Sequence, residues 1–233
     1  MKYTAAHIKA SYQEKILIEK KKAVFMYLIY RPISFYLTPI FLQFHISANK
    51  VTLIGLFISL LLPLVSIFGG DFAYLYVALL AFSFHVLDCV DGNISRITRS
   101  TSALGKYLDF FTGNVFWILL YCSIGLLIKY GDGMSKFFVE GSVVIGLLSG
   151  LFDIFGKESR SYVRLHFPDS SPEYFSDKIP LQNILSSFGH LTPFLLIIFG
   201  YFKRIDILLI LIFAHSFLIF SYSEIKIFCR LYR

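Results

Sequence analysis

Tyr74-Leu-Tyr-Val-Ala-Leu-Leu-Ala-Phe-Ser-Phe-His85-Val-Leu-Asp88-Cys-Val-Asp91-Gly92 is the stretch on which the reading of this chain turns. From Tyr74 to Val90 it is apolar over nearly the length of a bilayer crossing, which takes about 20 residues. Yet it ends on two carboxylates three positions apart. On a helix such residues share a face and their side chains are neighbours. Acidic groups at that depth are costly unless they pair or bind ions, and two like charges on one face raise the cost. A divalent cation removes both problems, and carboxylate oxygens are the ligands that Mg2+, Mn2+ or Ca2+ prefer. An ordinary helix-end cluster with salt bridges to Arg96 or Arg99 also fits the spacing.

Working outward, Asp109 opens the next apolar run. The link back to Asp91 is short enough to form a turn, so adjacent antiparallel helices would bring Asp88, Asp91 and Asp109 together. Gly92 and Gly105 flank that link, where glycine allows close backbone approach. Arg96 and Lys106 are nearby cations suited to phosphate.

The composition agrees with a membrane chain. Of 233 residues, 56% are hydrophobic and 16% charged, against about 45–50% and about 25% in soluble domains. Mean hydropathy is +0.68. Six apolar runs reach spanning length: Val51–Phe68, Phe72–Val90, Tyr107–Ile128, Phe137–Phe155, Leu181–Phe202 and Ile205–Phe228. Pro193 should kink or break the fifth. Before Val51 the chain differs. Lys15 to Lys22 is charged. Ala23 to Phe44 is apolar and aromatic but interrupted by Arg31-Pro32 and Pro39, and reads as one or two amphipathic helices lying along the interface. The expected fold is therefore all-α and polytopic. Residues 1–50 form a cytoplasmic or interfacial helical segment, and residues 51–233 a six-helix transmembrane domain.

The net charge of +7 would suggest nucleic acid in a soluble protein. Here Lys and Arg cluster between apolar runs. With six spans and both termini in the cytoplasm, only Lys129, Lys136, Lys203 and Arg204 fall on the far side, which is the bias of the positive-inside rule. Met1 to Lys22 has no apolar core of a signal peptide. Cys89, Cys122 and Cys229 have no zinc or disulfide spacing and read as small apolar residues within helices. The 26 Phe and 15 Tyr read as lipid-facing or interfacial aromatics rather than a base-stacking surface. Gly146-Leu-Leu-Ser-Gly150 has the spacing that lets membrane helices approach closely.

The run Asp88-Cys-Val-Asp91-Gly92-Asn-Ile-Ser95-Arg96, then eight residues, Gly105, three residues and Asp109 resembles the signature of the CDP-alcohol phosphotransferase family, D-x2-D-G-x2-A-R-x8-G-x3-D-x3-D. Ile46-Ser-Ala-Asn49-Lys-Val-Thr52-Leu-Ile-Gly55 resembles the family's entry into its first span, and Arg31-Pro32-Ile-Ser34 the segment before it in some members. Arg160-Ser-Tyr162-Val-Arg164 is similar to a stretch in members that use inositol phosphate. The resemblance covers roughly residues 30 to 165. It implies a six-helix membrane enzyme, usually a homodimer, with an interfacial helix before the first span and a cytoplasm-facing site. Asp88, Asp91 and Asp109 would hold Mg2+ or Mn2+ against the pyrophosphate of a CDP-linked donor such as CDP-diacylglycerol. Asp88, Gly92, Arg96 and Gly105 would shape the nucleotide pocket, and Arg160 and Arg164 would receive a phosphate on the acceptor alcohol. The implied reaction moves a phosphatidyl or substituted phosphoryl group to an alcohol and releases CMP.

Two positions depart from the signature. Ser95 stands in place of Ala. Gly113 stands in place of the fourth Asp, which is both a metal ligand and the general base for the acceptor hydroxyl. Three readings follow. Another group supplies the base: His85, three residues before Asp88, or Asp153 or Glu158. Alternatively, the acceptor is already ionised and needs no base. Otherwise, the chain is a non-catalytic member that binds nucleotide or lipid. A different transferase using Asp-rich sites is disfavoured by Gly92, Arg96 and Gly105.

Overall fold

The computed structural model describes residues 4–12, 23–131, 139–167 and 188–232. The charged stretch Lys15–Lys22, residues 168–187, and the first residues of the fourth and fifth expected spans lie outside them. Every regular element among the described residues is helical: α1 (Ala5–Ser11), α2 (Arg31–Gln43), α3 (Ala48–Phe68), α4 (Ala73–Thr98), α5 (Ala103–Tyr130), α6 (Ser142–His166), α7 (Thr192–Tyr201) and α8 (Ile205–Leu231).

Among the described residues, four helical segments are long and apolar enough to cross a membrane: Ala48–Phe68, Gly70–Thr98, Ala103–Tyr130 and Ile205–Leu231. They match the first, second, third and sixth expected runs. The fourth run lies in α6, which is long enough, but its second half carries Asp153, Lys157, Glu158, Arg160 and Arg164. Of the fifth, the described part is the short apolar helix Phe188–Tyr201.

The chain divides into two compact units. The first takes Met1–Leu62, Tyr76–Phe116 and Ile179–Leu195. Its apolar core joins Tyr30, Val51, Val86, Cys89, Val90 and Ile94. The segment Ala23–Phe44, expected as interfacial helices, is helical through both of its proline interruptions. A π-helical turn, Met26–Tyr30, leads into α2, with Pro in the first turn of α2 and Pro39 inside it. The sidedness of α2 is inverted relative to a soluble helix. Its buried positions are Arg31, Ser34, Phe35 and Thr38, one face at helical spacing. Ile33, Tyr36, Ile40 and Phe44 are exposed instead, which suits contact with lipid.

That polar inner face has a partner in α4. Asn93, fully buried, donates through Nδ2 to Ser34 Oγ (3.0 Å) and Thr38 Oγ1 (3.1 Å). Its Oδ1 accepts from Arg31 Nη1 at 3.3 Å, and Arg31 Nη1 also donates to the Cys89 carbonyl at 3.1 Å. The cost of burying Arg31 is thereby offset by hydrogen bonds rather than by exposure. Tyr30 donates to the His190 carbonyl at 2.6 Å. Burial pushes its phenol up, and the nearby Cys89 adds to the shift.

The second unit takes Pro63–Leu75, Trp117–Lys178 and Leu196–Arg233. Here α6 packs along α8, with Phe152 against the rings of Phe213, Phe217 and Phe220 at 5.2–6.0 Å. It also packs against α5 through small residues. A side chain at Gly146 would run into the Tyr121 carbonyl, and one at Gly150 into the Ile118 backbone. The Gly146–Gly150 pair is thus a close helix contact within this unit, the use its spacing suggests.

Candidate functional site

In the first unit, α4 and α5 are joined by residues 99–102 alone. Arg99 ends α4 in the left-handed region at φ 51, and the Ser100 amide returns to the Ser95 carbonyl at 3.1 Å, a tight helix stop. The acidic run is therefore not at the helix end that the sequence suggests. Helix α4 continues to Thr98 and α5 begins at Ala103, so Gly92 and Gly105 flank the link from inside the two helices.

A cleft opens between the start of α3, the last turns of α4 and the start of α5. Its wider part, about 120 Å3, is lined by Asn49, Thr52, Asp91, Gly92, Ser102, Gly105, Lys106 and Asp109, among others. A narrower continuation adds Asp88, Thr112 and Gly113. All three expected carboxylates thus face one space, at graded depth. Asp91 is 8% exposed, Asp88 is half-buried, and Asp109 is exposed. Asp91 lies within electrostatic reach of both of the others and accepts from Thr52 Oγ1 at 2.7 Å.

The glycines set the width of this cleft. A Cβ at Gly105 would come to 3.0 Å from Asn49 Oδ1 and 3.2 Å from Ser102 Oγ. A Cβ at Gly92 would sit 3.4 Å from Arg96 Nη1. At Gly113 a Cβ would meet nothing within 4 Å, so the place of the signature's fourth Asp is open space on the cleft wall.

Among the described residues, no group of three or more His, Cys, Asp or Glu side chains stands close enough to form a ready-made metal cluster. Asp88, Asp91 and Asp109 line a common cleft without closing on a shared point. Their chemistry still fits a hard divalent cation: anionic oxygens facing one space repel each other until a cation stands between them.

The remaining expected residues are placed differently. His85 is buried among the rings of Tyr30, Phe84, Phe116 and His190 at 4.9–5.9 Å and is not among the cleft-lining residues. Arg96 does not line the cleft either. Its guanidinium rests against Gly92 and donates to Asn93 Oδ1 at 2.7 Å. Arg160 and Arg164 lie on α6 in the second unit, where Arg160 donates to Ser223 Oγ at 3.1 Å. In the same unit Asp153 pairs with Lys157 at 2.7 Å. Sequence reasoning did not assign Asn49, Thr52, Ser102 or Asn93 to the site. The first two stand in the motif that enters the first span, where their polarity at the edge of an apolar run was the available signal.

Residues 45–155 match the family model described as CDP-alcohol phosphatidyltransferase. No curated protein and no solved structure matches the chain. The match holds every cleft residue named above and ends before Arg160. The match covers a little under half of the chain and agrees with the resemblance read from the acidic run over that segment. Among the described residues the protein is all-helical, with four helices long and apolar enough to cross a membrane.

Proposed function

We propose that this protein is a divalent-metal-dependent enzyme that transfers a phosphatidyl or substituted phosphoryl group from a CDP-linked donor to an alcohol, releasing CMP. The observation that carries this reading is the convergence of Asp88, Asp91 and Asp109 on one cleft, within a segment of matching family. Asp88, Asp91 and Asp109 would hold Mg2+ or Mn2+. When bound, such an ion neutralises phosphate charge and acts as a Lewis acid.

This chain's own residues do the rest. Gly92 and Gly105 leave room for the nucleotide. Asn49, Ser102 and Lys106 offer a donor-rich rim for the diphosphate. The acceptor oxygen bonds to the phosphorus that bears the transferred group. The bond from that phosphorus to the CMP oxygen breaks, and the electron pair leaves on CMP. Such transfer depends on positioning and charge stabilisation more than on a protein nucleophile. Arg160 and Arg164 remain the proposed contacts for an acceptor phosphate. A six-span bundle, an interfacial segment at 1–50, cytoplasmic termini and site, and a homodimer complete the proposal. A role in phospholipid or related glycan-precursor synthesis follows from the donor class.

The acceptor's proton needs a destination. The aromatic cage around His85 favours a packing role for that residue over a base. The open wall at Gly113 supports an acceptor that carries its own ionised group into the gap. Replacing Gly113 with Asp tests this: the variant keeps its thermal stability and gains about tenfold or more in transfer to simple alcohols. A variant that folds without any gain refutes the substrate-supplied reading.

The main test is direct. Purified protein given CDP-diacylglycerol or a soluble CDP-alcohol, an alcohol mixture and Mn2+ releases CMP, and chelation stops it. If CMP release and metal-dependent CDP binding are both absent, the proposal fails.

A further inference from the structure

We infer that Tyr12, just after the N-terminal helix α1, is a positioning residue for Arg96 and, through it, for the diphosphate of the donor. The inference rests on the reading of the cleft as a nucleotide site. Tyr12 lies outside the segment that matches the family, and nothing in its local sequence announces such a role.

Tyr12 is 1% exposed. Two guanidinium groups face its ring: Arg31 with Cζ 4.5 Å from the centroid and Arg96 with Cζ at 5.1 Å. Phe35 packs against the same ring at 5.8 Å. Both arginines also donate to one acceptor, Asn93 Oδ1. An aromatic face presented to both adds a cation–π attraction to each guanidinium and helps fix where each one stands.

Asn93 cannot turn to relieve the pair, because Ser34 and Thr38 accept from its amide nitrogen. The Arg96 guanidinium is thus held by an oriented amide, by a ring, and by the bare backbone of Gly92. Gly92 and Ser95 line the cleft. The fixed charge therefore stands immediately behind the cleft wall, where it favours an anionic diphosphate.

Placement of the ring depends on α1. Thr4 caps that helix by accepting from the His7 amide, and Ile8, fully buried, packs with Tyr12 and Phe35. The N-terminal helix is in this way part of the donor site.

The experiment uses the full chain in lipid nanodiscs, with CDP titrated calorimetrically in Mn2+ and CMP release followed in parallel. Tyr12→Leu keeps the site filled but removes the π face. It weakens CDP binding by about threefold to tenfold and raises the donor KM while kcat stays level. Tyr12→Phe retains the ring and stays within about twofold of wild type. Arg96→Ala loses CDP affinity at least as strongly as Tyr12→Leu. The inference falls if Tyr12→Leu binds CDP like wild type, if Tyr12→Phe falls as far as Tyr12→Leu, or if the loss is in kcat alone. Should Tyr12→Leu fail to fold, an Arg96→Ala variant with unchanged CDP affinity overturns it independently. Wild-type protein that binds no CDP overturns the function proposal as well, so the two failures are distinguishable.

Discussion

The two units of this chain solve the same problem in opposite ways. Helices in lipid gain little from hiding apolar surface, so they associate through close packing or polar contacts. The second unit uses close packing: Gly146 and Gly150 against α5, and a Phe152 cluster against α8. The first unit uses polar contacts: Arg31, Ser34 and Thr38 of α2 on Asn93, and Thr52 of α3 on Asp91. Polar groups inside a membrane domain are costly and tend to mark function. The cleft with its three carboxylates lies in the unit that bears that cost.

Three substitutions test the contrast. Asp91→Asn has the largest expected effect. It should lower CMP release by about a hundredfold or more while leaving the melting temperature close to wild type, since Thr52 can still donate to the amide oxygen. Intact activity in that variant would remove Asp91 from the metal site. Gly146→Leu comes next, because its side chain meets helix backbone that cannot move aside. A loss of about 3 kcal/mol in stability is expected, read as a lower midpoint in detergent-solubilised protein, with CDP affinity per folded molecule unchanged. Asn93→Leu should cost about 2 kcal/mol, because Arg31 loses one of its acceptors and Ser34 and Thr38 lose a donor. It should also weaken CDP binding by releasing Arg96. If its stability is unchanged, the polar contacts do not hold the first unit together.

What was legible in the sequence divides along the same line. The apolar runs of α3, α4, α5 and α8 announced themselves by length and composition, and the shared face of Asp88 and Asp91 by their spacing of three residues. The gathering of Asp109 with them followed from a short link between helices. The polar face of α2 was not legible. Arg31, Ser34 and Thr38 recur at helical spacing, which in a soluble protein marks the side turned to water, and only the position of Asn93 on another helix inverts that meaning. Nor was the end of α4 legible: the expected run stops at Val90, where the acidic residues begin, yet Asp91 is met by Thr52 and the helix continues to Thr98. His85 was read by its distance from Asp88 along the chain, whereas the rings that enclose it come from four separate places in sequence.

The four-residue connection that begins at Arg99 also bears on how the protein is made. A loop so short closes at little entropic cost. Helices α4 and α5 can therefore enter the bilayer together, as one hairpin, while the ribosome is still reading the chain behind them. Both halves of the acidic cleft would then meet before any residue beyond Tyr130 is needed. The connection also acts as a ruler: each added residue would turn Asp109 about 100° around its helix and shift it about 1.5 Å along it. The length of this turn is thus as much a part of the site as the carboxylates it aligns.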